Sequence, residues 1–96
     1  MKPSAVLQNH RQAIREAAQR YPVANARIFG SVVAGTDHEG SDLDILVDAL
    51  PSSTLLDLGG LQEDIEQITG LSVDILTPSD IPESYRNAVL ESARSL

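Results

Sequence analysis

Ile28-Phe29-Gly30-Ser31-Val32-Val33-Ala34-Gly35 and, after a short loop, Ser41-Asp42-Leu43-Asp44-Ile45-Leu46-Val47 are the two arms of one chain reversal. Ala26 to Phe29 predicts a short strand that Gly30 ends, and Leu43 to Val47 predicts a second. The residues between them, GSVVAGTDHEGS, read as a turn, a short helical turn and a loop. Side chains alternate along a strand, so Asp42 and Asp44 share one face while Leu43, Ile45 and Val47 share the other. One face of this strand packs a core, and the other presents two acids.

The flanking segments supply layers for that sheet. From Ser4, read as an N-cap, apolar residues at Leu7, Ile14, Ala17, Ala18 and Tyr21 follow helical spacing until Pro22 closes the run. Leu55, Leu58, Leu61, Ile65 and Ile68 predict one apolar helix face after Pro51-Ser52-Ser53, ending at Gly70. Two adjacent glycines, Gly59 and Gly60, cost about 1 kcal/mol each relative to Ala and predict a bend or break in that helix. Leu71 to Leu76 predicts a third strand, Thr77-Pro78 breaks it, and Pro82 to Ala93 carries Tyr85, Ala88 and Val89 at helical offsets. Helices alternating with short strands define an α/β or α+β domain, with helices against one small sheet.

The chain has 96 residues, and 14 Asp+Glu against 7 Lys+Arg give a net charge of −7. That length is read as one domain, residues 1–96, able to bury roughly 60–65% of its unfolded surface. With one Phe, two Tyr and no Trp, the core must be aliphatic. The absence of Cys excludes disulfide scaffolds, thiolate metal sites and thiol catalysis. No apolar run is long enough to span a membrane and the N-terminus lacks a signal-peptide core, so a cytoplasmic protein is expected. Excess acid argues against a surface that grips nucleic acid through many phosphates.

The acids themselves point to chemistry. Asp42 and Asp44 stand roughly 6.6 Å apart along the strand, close enough for their carboxylates to converge on one or two hard cations. Two Mg²⁺ ions so held support the attacking and leaving oxygens of a phosphoryl or nucleotidyl transfer. Asp74 in the third strand has the same parity, opposite Val73 and Ile75. If the two strands are neighbours, it joins the other acids and can accept the proton of an attacking hydroxyl. Gly30 admits a close backbone approach, and the Ser31 hydroxyl suits a phosphate oxygen. Each feature alone has a plainer reading: a solvated strand edge for the acids, a common turn for Gly-Ser. The combination and its order favour a metal and phosphate site.

In this pattern the chain resembles the minimal nucleotidyltransferases of the DNA polymerase β superfamily. Gly30-Ser31, ten residues, Asp42-X-Asp44 and a later strand bearing Asp74 match that family's motif in spacing, and the resemblance covers almost the whole chain. It implies a polymerase-β-like fold with helices mainly on one face of a small mixed sheet. It also implies phosphate contacts at Gly30 and Ser31, Mg²⁺ at Asp42, Asp44 and Asp74, and ATP as substrate. Such proteins are commonly antitoxins paired with a HEPN-domain ribonuclease toxin, and some transfer AMP to a toxin tyrosine. A binding-only antitoxin with a vestigial site is the alternative. One departure bears on that choice: many relatives carry Ala-Arg-Gly after the turn, whereas this chain has Val33-Ala34-Gly35. His38 and His10 are read as surface residues, Arg11, Arg15, Arg20 and Arg27 as solubility or partner-facing charges, and Tyr85 as core or interface.

Overall fold

The computed structural model describes residues 1–96. Its elements are α1 (Pro3–Gln19), β1 (Val23–Phe29), α2 (Ser31–Ala34), β2 (Leu43–Ala49), α3 (Leu55–Thr69), β3 (Val73–Leu76), a 3₁₀ turn (Pro78–Asp80), α4 (Glu83–Ser92) and β4 (Arg94–Ser95). The four strands form one mixed sheet in the order β3-β2-β1-β4. β1 runs antiparallel to β2 and β4, and β2 runs parallel to β3. Parallel neighbours require a long crossover, which α3 supplies.

The predicted alternation is met on one face. Leu43, Ile45 and Val47 of β2, Ile28 of β1, and Val73 and Ile75 of β3 are buried against Leu7, Ile14 and Ala17 of α1 and Leu61 and Ile65 of α3. Leu46 is also fully buried, although it projects to the acid-bearing face. The 3₁₀ turn packs on β2, and the buried Ile81 follows it. The acid-bearing face is therefore open near Asp44 and closed further along the strand.

Several boundaries differ from the sequence reading, each for a physical reason. The N-cap of α1 is Lys2, and Pro3 occupies the first helical turn, where a missing N–H costs nothing. Ser4 thus lies inside the helix. β1 begins at Val23 and carries an irregularity between Ala24 and Arg27, with Asn25 at φ 54°. α3 starts at Leu55, capped by a reciprocal pair in which Thr54 and Asp57 bond each other's backbone and side chain. Leu55 does not join the apolar face, because it stands in the first turn at 87% exposure. The unanticipated β4 is a two-residue strand, too short to show a period.

α3 also runs unbroken through Gly59 and Gly60. Gly60 has a packing reason: a Cβ there would lie 3.1 Å from Tyr21 Cε1 and 3.2 Å from its Oη. The Tyr21 hydroxyl donates to Asp64 Oδ2 at 2.5 Å, one turn further along the same helix. Gly59 faces nothing within 4 Å. Gly59→Ala is therefore expected to raise stability by about 0.5–1 kcal/mol. Gly60→Ala is expected to forfeit that gain against the Tyr21 ring. Urea denaturation of the two variants checks the difference.

Candidate active site

The site forms where β1 ends and β2 begins. Asp44 of β2 is the register partner of Phe29 on one side and of Asp74 on the other. The parallel pairing of β2 and β3 thus brings the first of the expected carboxylate pairs, Asp44 and Asp74, side by side on one face. Asp42 sits two residues before Asp44, at the mouth of β2, and is exposed. Gly30 closes against the same carboxylate. It holds φ 76° and ψ −147°, a region essentially reserved for glycine, and a Cβ there would collide with the Asp44 carboxylate, with Cγ at 3.1 Å. Ser31 opens α2 directly after it, and Gly35 ends that turn in the left-handed conformation.

Burial, the charges of Asp74 and Asp42, and a hydrogen bond with Asp74 push the Asp44 carboxyl up to about 6. Like charges held together without a counterion favour the protonated form, and a divalent cation reverses that preference. The side chains as they stand do not make a closed cage of three ligands. The donor set nevertheless fits Mg²⁺, which binds through one or two carboxylates and completes its shell with water and phosphate oxygens.

Because the folded value of Asp44 lies above its ordinary 3.8, ionising it costs folding free energy. That cost is absent below about pH 4, grows between 4 and 6, and is complete above 6. Asp44→Asn is accordingly expected to stabilise the metal-free protein at pH 7.5 by roughly 1–2 kcal/mol, allowing for solvent screening. The gain should vanish near pH 4, as thermal melts of both proteins across that range would reveal.

One residue of this region escaped the sequence reading. Asp37 is the buried acid of the chain, 8% exposed, and its Oδ2 accepts the Ser4 backbone N–H at 2.9 Å. It caps an otherwise open donor in the first turn of α1 from a loop 33 residues away. Hydrogen bonds from Ser4 hold its carboxyl below the usual range. The loop it anchors leads into Asp42, and a bond from His38 N–H to Ser41 Oγ at 2.9 Å tightens the same loop. His38 itself is exposed and its Nδ1 pairs with the Glu39 carbonyl. Arg27 is not a free surface charge but an ion pair, its guanidinium 2.7 Å from Asp48. Tyr85 is 53% exposed and so belongs to a surface groove rather than the core.

The nucleotidyltransferase domain model matches residues 10–96, which include every site residue named above. The chain belongs to the nucleotidyltransferase domain family. The protein adenylyltransferase MntA of Thermococcus cleftensis is 36% identical over 86 residues, spanning 90% of this chain and 84% of that protein. A solved structure described as a minimal nucleotidyltransferase superposes with a TM-score of 0.86 at 34% identity, covering 97% of this chain and 95% of the other. A crystal structure of a toxin-antitoxin with AMP-PNP shares the fold at a TM-score of 0.73 and 20% identity, over 88% of this chain and 69% of that one. This nucleotidyltransferase has the mixed α/β architecture expected from the alternation of its helices and strands. No helix in it is long and apolar enough to cross a membrane.

Proposed function

We infer that residues 1–96 form one minimal nucleotidyltransferase domain that acts in the cytoplasm as an antitoxin, transferring AMP from ATP to a tyrosine hydroxyl of a HEPN ribonuclease toxin. The observation that carries the reading is the contact of Gly30 with Asp44, whose register partner is Asp74. It joins a phosphate turn to a carboxylate pair with no side chain between them. The adenylyltransferase named among the relatives supports the protein acceptor, and the toxin-antitoxin neighbour supports the pairing.

In this reading Asp42, Asp44 and Asp74 hold Mg²⁺, expected as two ions. Bound there, the metal would neutralise charge on the phosphate and favour an ionised acceptor oxygen. Gly30 and Ser31 hold the phosphate chain, the serine through its hydroxyl. The acceptor oxygen forms a bond to the α-phosphorus, the bond to the bridging oxygen breaks, and pyrophosphate leaves. Asp74, exposed beside Asp44, takes the hydroxyl proton. The partner must supply the other wall of the cleft, because the acid-bearing face is open at Asp42 and Asp74.

Incubation with ATP, Mg²⁺ and the partner toxin, followed by intact mass measurement, tests the transfer. The toxin should gain the mass of one AMP. A native protein that binds the toxin yet adds no mass refutes the enzymatic part. The binding-only reading draws on Ala34, which leaves the turn without a guanidinium. Under it, Asp42→Ala combined with Asp44→Ala would still neutralise the toxin.

A further inference from the structure

Beside the Gly30 turn lies a groove of about 670 Å³ between α2 and α4, bordered by Phe29, Gly30, Ala34, Tyr85, Val89 and Arg94. The lining is mostly apolar, and Gly30 at its rim abuts the Asp44 side chain, so a triphosphate bound across that rim would meet carboxylates with little cationic balance. Most basic side chains of the chain are committed elsewhere. Arg27 pairs with Asp48 and Arg20 with Asp64, Arg15 donates to the Leu96 carbonyl, and Arg86 donates twice to the Ile81 carbonyl. Arg94 is exposed, has no acidic partner, and makes only a 3.3 Å bond to the carbonyl of Ser92, two residues away. Its backbone is fixed by β4, opposite the core-facing Ile28. Arg94 and Gly30 nonetheless border the same groove, which brings the arginine side chain round the end of the sheet toward the turn.

Resting on the nucleotidyltransferase reading, we propose that Arg94 is the guanidinium that binds the nucleotide's phosphates, reaching from β4 into the groove beside Gly30. A planar fork suits phosphate oxygens, and Arg94 shares one groove with Gly30 and Ala34. The cation that position 34 does not provide thus comes from the opposite wall of the same groove.

Titration calorimetry with AMP-PNP and Mg²⁺ tests this on the full chain. Arg94→Ala should weaken binding about 10–100-fold, Arg94→Lys should fall between it and the native protein, and Arg20→Ala, which removes a charge far from the groove, should bind as the native protein does. Ala34→Arg in the Arg94→Ala background should recover affinity, since it restores a guanidinium to the same groove. Thermal melts confirm that each variant is folded. Equal affinity of the native protein and a folded Arg94→Ala variant overturns the assignment and leaves the enzymatic reading intact. A native protein that binds no AMP-PNP overturns both.

Discussion

Under the proposed function, Asp44→Asn is expected to lower AMP transfer about a thousandfold or more while leaving the protein folded. Amide and carboxylate have nearly the same shape, so the packing around position 44 survives. What is lost is the charge at the centre of the acid cluster, flanked by Asp74 and preceded by Asp42. A metal ion contributes several kcal/mol of charge stabilisation to such a transfer, and each 1.36 kcal/mol is a factor of ten in rate. The same substitution relieves the repulsion that lifts the Asp44 carboxyl to about 6, so lower activity should accompany higher stability at neutral pH. Toxin labelling followed by intact mass measures the first, and a melt of the metal-free protein without nucleotide or toxin measures the second. A variant that is less stable at pH 7.5 than the native protein would show that Asp44 is a packing residue, and a variant that transfers AMP normally would remove it from the site.

This opposition between charge and stability explains why the candidate site stands out in the sequence. Asp42, Asp44 and Asp74 break the aliphatic run of otherwise core-forming strands, and strand parity assigns them a face without knowledge of the fold. Their juxtaposition needed one further fact, the parallel register of β2 with β3. The aliphatic layer was legible for the same reason of period, in Leu43, Ile45, Val47, Leu61 and Ile65. Features that depend on a distant partner were not. Gly60 predicts a break by propensity alone, and only the Tyr21 ring against it explains an unbroken helix. Asp37 looks like a loop acid until α1 offers it an unpaired N–H. Leu46 has the parity of the acids but is buried, because residues after β3 fold back over it. Arg94 belongs to a strand of two residues, which has no periodic signature at all.

Gly30→Ala should be the most damaging single-methyl change in the chain. Two costs coincide at this position. The backbone sits at φ 76° and ψ −147°, where a side chain adds about 1–3 kcal/mol of strain. The new Cβ would also press on the Asp44 side chain, 3.1 Å from its Cγ and 3.3 Å from its Cβ, closer still to the carboxylate oxygen. Asp44 is not free to yield, since its neighbours on the sheet are Phe29 and Asp74. Relief therefore comes from rotating the carboxylate out of the site or from moving the Gly30-Ser31 turn, and either separates the proposed phosphate contacts from the acids. Misplacement of about 1 Å costs roughly a hundredfold in rate, so transfer should fall at least that far. Gly35→Ala isolates the two costs: Gly35 also has a positive φ, 74°, but nothing lies within 4 Å of a Cβ there. Its left-handed conformation, φ 74° and ψ 21°, costs a side chain about 1–2 kcal/mol, so it should lose less stability in urea than Gly30→Ala and far less activity. Equal activity losses in the two variants would mean that backbone strain, and not the closeness of Gly30 to Asp44, governs the site.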